Sequence, residues 1–260
     1  MKDERLNLSA VHMMEIVLLM IGLAAGFVFG MIGVGGGYVI IPGLIYILNF
    51  PVHVALGTSL LVSLIGASIS AIYRYLGGDV KLAEGLIWAI CAACGAFLGA
   101  HIACESPPWL IRSLFGIICI LASVLMITKK KERERPLIMS LKSLISISIL
   151  MGIISGLTGV PGGIFYATAF VLLFNMPIRI AAGTASLVMP FTAFSGALRF
   201  YLSNFVDTTA FIIISLAATI TTVLGIKLSR KAPAHKLRKA FSMYLLYVGV
   251  VMLLGLRPQL

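Results

Sequence analysis

The chain has 260 residues, 60% of them apolar and 11% charged, with a mean hydropathy of +1.08. That is too little polar surface to cover a soluble globule, so lipid must solvate most of the chain. A net charge of +11 would point to nucleic acid in a soluble protein, but here the cations cluster in short loops beside apolar runs. Cytoplasmic orientation and anionic lipid account for them there, and no nucleic-acid role is expected.

The first element expected is 16–48, too long for one straight crossing, which takes about 20 helical residues. It is broken near its centre by Gly33-Val34-Gly35-Gly36-Gly37. Each glycine weakens helix propagation by about 1 kcal/mol, so the helix ends there and the chain can reverse. A signal-peptide reading of the N-terminus lacks a clean small-residue cleavage site. Asn49-x-Pro51 then reads as a turn opening the span 52–76. This span carries Thr58 and Ser59 early and Arg74 near its end. Hydroxyls inside a span either bond their own helix or face a polar path. An arginine there either snorkels to the surface or meets an anion. Spans 82–104 and 110–128 follow, and with them all four cysteines, Cys91, Cys94, Cys104 and Cys119. The C-x-x-C of Cys91 and Cys94 lacks the hydrophilic cleft a redox pair needs and reads as small packing residues.

After a basic connector at 129–141 the pattern starts again. A shift of 126 lays Gly159 on Gly33, Gly152, Gly156, Val160, Gly162 and Gly163 on Gly26, Gly30, Val34, Gly36 and Gly37, and Asn175, Pro177, Gly183 and Thr184 on Asn49, Pro51, Gly57 and Thr58. The register holds without a gap as far as Phe115 and Phe241. The chain is therefore a duplication: a first repeat 1–128 and a second repeat 142–260, the latter with a broken segment 142–174 and spans 177–203, 208–229 and 240–256. Thr184 and Ser186 take the places near Thr58 and Ser59, and Arg199 lies one residue out of register with Arg74.

Loop charge sets orientation. Loop 227–239 has six cations, whereas its mate 101–113 has Arg112 against Glu105, so the first is expected inside and the second outside. The connector also reads inside, and both termini outside. Equivalent loops on opposite sides require an odd number of crossings per repeat, so 16–48 and 142–174 must enter and return on one side. The expected fold is an all-α polytopic membrane protein with two inverted-topology repeats, each a re-entrant glycine-broken helical hairpin plus three transmembrane helices.

Broken helices at membrane depth leave free amides, tolerated only where protein or a water-filled cavity satisfies them. With the positive end of the helix that follows, such amides suit an anion. The expected substrate-binding residues are Gly35, Gly36, Gly37, Gly162, Gly163, Thr58, Ser59, Thr184, Ser186, Asn49, Asn175, Arg199 and Arg74. The alternative reading of the glycines is helix packing alone, which suits Gly22, Gly26, Gly30, Gly95 and Gly99. Asn49 and Asn175 are equally well explained as turn residues. No acidic residue falls clearly at mid-bilayer, and His12, His53, His101 and His235 are scattered without metal-ligand spacing. Neither an enzyme nor a cofactor is expected.

Gly-Met-Ile-Gly-Val-Gly-Gly-Gly with Pro42 and Ala-Leu-Gly-Thr-Ser, and the second copy Gly-Leu-Thr-Gly-Val-Pro-Gly-Gly with Ala-Ala-Gly-Thr-Ala-Ser, resemble the TauE/SafE family of sulfite exporter-like membrane permeases. The resemblance spans nearly the whole chain, with departures at Pro161 and Thr168, where the first copy has Gly35 and Pro42. It implies export of sulfite, a related sulfur oxyanion or an organosulfonate across the cytoplasmic membrane. The alternatives are an anion channel, a permease for another small organic anion, or a membrane scaffold. The partners expected are a small anionic substrate and the lipid bilayer; the sequence does not indicate a homodimer.

Overall fold

The computed structural model describes residues 2–33, 35–127, 141–229 and 234–255. Residues 129–140 of the basic connector expected at 129–141, and part of loop 227–239, lie outside the described residues. Among those described there are ten α-helices and no strand: α1 (Lys2–Ile32), α2 (Gly37–Pro42), α3 (Val52–Leu76), α4 (Leu82–Glu105), α5 (Pro108–Ile127), α6 (Leu141–Thr158), α7 (Gly163–Phe174), α8 (Ile178–Leu202), α9 (Thr208–Ser229) and α10 (Ala234–Leu254). Six helices contain apolar stretches long enough to cross a bilayer, His12–Ile32 in α1, then α3, α4, α5, α8 and most of α9. The protein is a multi-pass, all-helical membrane protein. Side chains such as Ile90, Leu98, Leu216 and Ile220 are about half exposed or more, facing where lipid tails would lie.

The glycine runs do end helices. α1 stops at Ile32 and α2 starts at Gly37, while α6 stops at Thr158 and α7 starts at Gly163. α1 begins at Lys2, ahead of the expected start at 16, because no breaker precedes His12 and an established helix extends cheaply. α2 widens after Pro42 into a π-helical turn, Gly43–Ile47. Proline lacks the amide an α-helix needs, and the wider turn accommodates its ring. The matching residue in α7 is Thr168, whose Oγ1 donates to Ile164 O at 2.7 Å, and α7 stays α-helical. With 12 residues, α7 is about 18 Å long, near half a hydrocarbon core. α2 folds back along α1, with Gly43 on Ile21 and Gly36 on Ala25.

Contacts exchange under the shift of 126. Gly26 and Gly30 of α1 press on the Ala218 and Thr222 carbonyls of α9, and Gly152 and Gly156 of α6 press on the Ala92 and Ala96 carbonyls of α4. A β-carbon at any of these four glycines would overlap the facing backbone oxygen, so the close approach depends on glycine. α1 thus packs parallel to α9, and α6 parallel to α4, each helix against the other repeat. Two pairs of equivalent helices, α3 with α8 and α5 with α10, pack antiparallel on each other. Gly57 of α3 meets Phe200 of α8 and Gly196 meets Leu60; between α5 and α10, Gly116 meets Gly249, and Ser123 and Ser242 join hydroxyls at 2.8 Å. At matched ends of this frame His53 stacks on Phe205 with ring centroids 5.0 Å apart, while their mates Arg179 and Asp79 form an ion pair at 2.7 Å.

Candidate functional site at the two glycine breaks

Both breaks use left-handed backbone, open without strain to glycine: φ is +74° at Gly33, +102° at Gly35, +69° at Gly159 and +71° at Gly162. The two tips touch. A β-carbon on Gly35 would lie 3.3 Å from Pro161 Cγ, one on Gly37 would lie 3.3 Å from Gly159 O, and one on Gly163 would lie 3.1 Å from Gly33 O. Ser59 sits between them. Its Oγ donates to Gly159 O at 3.1 Å and lies 2.8 Å from where a Gly37 β-carbon would be.

Arg74 reaches back along α3 to the first break, its Nη2 being 2.9 Å from the β-carbon position of Gly33. In a helix the Cα–Cβ bond tilts toward the N-terminus, so an arginine near the end of α3 is aimed into the protein. Its Nε is buried without a hydrogen-bond partner. Asp79 and the exposed Arg179, paired with each other, act on it electrostatically in opposite senses, so the positive charge beside the tip is that of Arg74 itself.

The structure thus gathers Gly35, Gly37, Gly163, Gly162, Ser59 and Arg74, with Gly36 just behind on Ala25. The other expected residues stand elsewhere. Thr58 Oγ1 accepts the Asp207 amide at 3.0 Å and Thr184 Oγ1 accepts the Lys81 amide at 3.1 Å, so both hold loops. Ser186 Oγ donates to Gly183 O of its own helix at 2.6 Å. Asn49 and Asn175 adopt φ of +56° and +51° just after the helical segments that follow the breaks, as left-handed caps. Arg199 lies against His101, with Nη2 at 2.8 Å from Nδ1, and against Ser203 Oγ, away from the glycines. Three hydroxyl residues that sequence reasoning passed over, Ser155, Tyr166 and Thr192, collect beside Gly162. Their mates under the shift are Phe29, Ile40 and Gly66, so comparing the copies for polar differences would have found them. Among the described residues no His, Cys, Asp or Glu group could hold a metal ion.

The chain is 27% identical to the probable membrane transporter YdhB of Bacillus subtilis over 92% of its own length and all of that protein's. To the probable membrane transporter YunE of the same organism it is 28% identical over 90% and 95% of the two chains, and to the probable membrane transporter MJ0441 of Methanocaldococcus jannaschii 26% identical over 92% and 95%. No solved structure matches it. The family model described as sulfite exporter TauE/SafE matches residues 18–252, taking in both glycine breaks, the second half of α1, all of α2 to α9 and most of α10, and the chain belongs to that family of membrane transporters.

Proposed function

We propose that the protein exports a small sulfur oxyanion, sulfite or an organosulfonate, across the cytoplasmic membrane by alternating access, with the anion held at the two glycine tips. One observation carries the reading. Two unwound segments from equivalent places in the two repeats meet each other, with an arginine laid over one of them, and glycine there lets an oxyanion approach bare backbone amides. The antiparallel packing of equivalent helices supports inverted repeats, and the half-length α7 supports re-entrant hairpins. The tips are in van der Waals contact, so an anion passes only if they part, as rocking of one repeat against the other would do. A membrane potential negative inside favours anion efflux by about 2.3 kcal/mol per charge per 100 mV, which removes the need for a coupling ion. In this orientation both termini are outside.

The test is a flux panel in proteoliposomes with sulfite, sulfate, thiosulfate and sulfoacetate. The parent should move at least one of them with saturation and in response to an imposed potential, and Gly36→Val and Gly163→Val should not. Flux that rises linearly with concentration indicates a channel, and equal flux from both variants removes the tips from the path.

A further inference from the structure

The two tips are not chemically equivalent. α7 starts after Gly162, which has no side-chain cap, and the Tyr166 amide bonds Gly162 O at 3.1 Å. The amides of Gly163, Ile164 and Phe165 therefore precede that bond at the positive end of a 12-residue helix. Beside them stands Tyr166, fully buried, whose hydroxyl completes no well-aligned hydrogen bond although the Thr192 and Ser155 hydroxyls lie beside it. That oxygen is 3.4 Å from the β-carbon position of Gly162, so it points at the start of its own helix.

Neighbouring groups extend the same chemistry. Thr192 Oγ1 lies 3.1 Å from Met189 O and 3.5 Å from Pro161 O, and Ser155 Oγ donates to Val160 O at 2.7 Å. Trp88 meets Tyr166 edge-on at 6.5 Å, and its buried indole N–H has no hydrogen-bond partner. Buried unpaired donors are costly and call for an explanation. Over Gly163 lies a backbone oxygen of the opposite tip, Gly33 O. In the first repeat the matching side chains are Phe29, Ile40 and Gly66, which offer no hydroxyl, and α2 has only six residues.

We propose that the start of α7 is the oxyanion seat of this transporter. The Gly163 and Ile164 amides and the Tyr166 hydroxyl donate to oxygens of a small oxyanion once the Gly33 carbonyl has moved off, and Thr192 borders the seat. The first tip is the cover and carries no equivalent seat. The anion class, a sulfite or sulfonate head, rests on the transport reading above.

Trp88 and Trp109 are the two tryptophans, and Trp109 is exposed at the start of α5, so Trp109→Phe leaves Trp88 as the sole indole reporter. In the purified full-length W109F protein, sulfite or methanesulfonate should change Trp88 emission saturably, and sodium chloride should not. Adding Tyr166→Phe, which removes only the hydroxyl, should raise the half-saturating concentration at least tenfold while the protein still melts cooperatively. Thr192→Val should shift it in the same direction. A saturable response to neither oxyanion, an equal response to chloride, or a Y166F half-saturation within twofold of its parent overturns the seat. Liposome flux separates the two ideas. Sulfite flux with the same half-saturation in Y166F sinks the seat and leaves transport standing, whereas Tyr166-dependent binding with no flux of any anion sinks transport and leaves the seat.

Discussion

Thr58 and Asp207 are 149 residues apart and joined by one hydrogen bond, in which the Asp207 amide donates to Thr58 Oγ1 at 3.0 Å. Shifting both positions by 126 gives Lys81 and Thr184, bonded in the same sense at 3.1 Å. Each threonine lies one residue after a glycine, Gly57 or Gly183, that admits the carbonyl of Phe205 or Asp79. The Gly-Thr pair in each copy is therefore a clamp on the loop that opens the next helix, and it sets where α9 and α4 begin.

Thr58→Val and Thr184→Val should each leave a partly buried amide unpaired, at a cost of about 1–3 kcal/mol, whereas Thr→Ser should restore most of it. Melting midpoints in detergent check this. A drop in anion flux should follow the loss of stability, with the half-saturating concentration unchanged.

Gly57→Ala and Gly183→Ala should be far worse, because the new β-carbon overlaps a loop carbonyl in each case. Gly66→Ala should be mild, since the nearest atom to its β-carbon is a Phe29 ring carbon at 3.5 Å. Gly78 has open space around it and a φ of +73°, so Gly78→Ala should cost only the left-handed penalty of about 1–2 kcal/mol. Yield of folded protein after purification separates the three cases.

Arg74→Gln should lower anion flux at least tenfold, and Arg199→Gln should leave it within about threefold. Arg74 lies over the Gly33 break, while Arg199 is engaged by His101 and Ser203 at the opposite end of the α3–α8 pair. Asp79→Asn should destabilise by about 1–3 kcal/mol, because the Asp79 carboxylate is only 15% exposed and pairs with Arg179 at 2.7 Å. Equal flux in both arginine variants would remove Arg74 from the path.

Single cysteines at Ser106 and Lys227 in a cysteine-free background should label from opposite sides of the membrane. The same side for both would undo the inverted orientation and, with it, the proposal that the tips face each other within the bilayer.

The breaks at Gly33 and Gly159 were legible because several glycines in a row stop a helix in any context. The offset of 126 was visible because it lays one break on the other. Other features needed three dimensions. Thr58 and Thr184 look like path-lining hydroxyls until the distant amides they accept are in place. Arg199 resembles Arg74 in sequence, but His101, on another helix, takes its guanidinium. Tyr166 was hidden for a different reason. Aligning the copies draws the eye to positions that agree, and Tyr166 matters where they disagree, opposite Ile40.

The exchange of α1 onto α9 and of α6 onto α4 has a consequence for biosynthesis. While the ribosome is still translating the first half, the glycine ridge of Gly22, Gly26 and Gly30 has no surface to rest on, because its docking groove, around Ala218 and Thr222, has yet to be made. The nascent first half must wait in the membrane for the second.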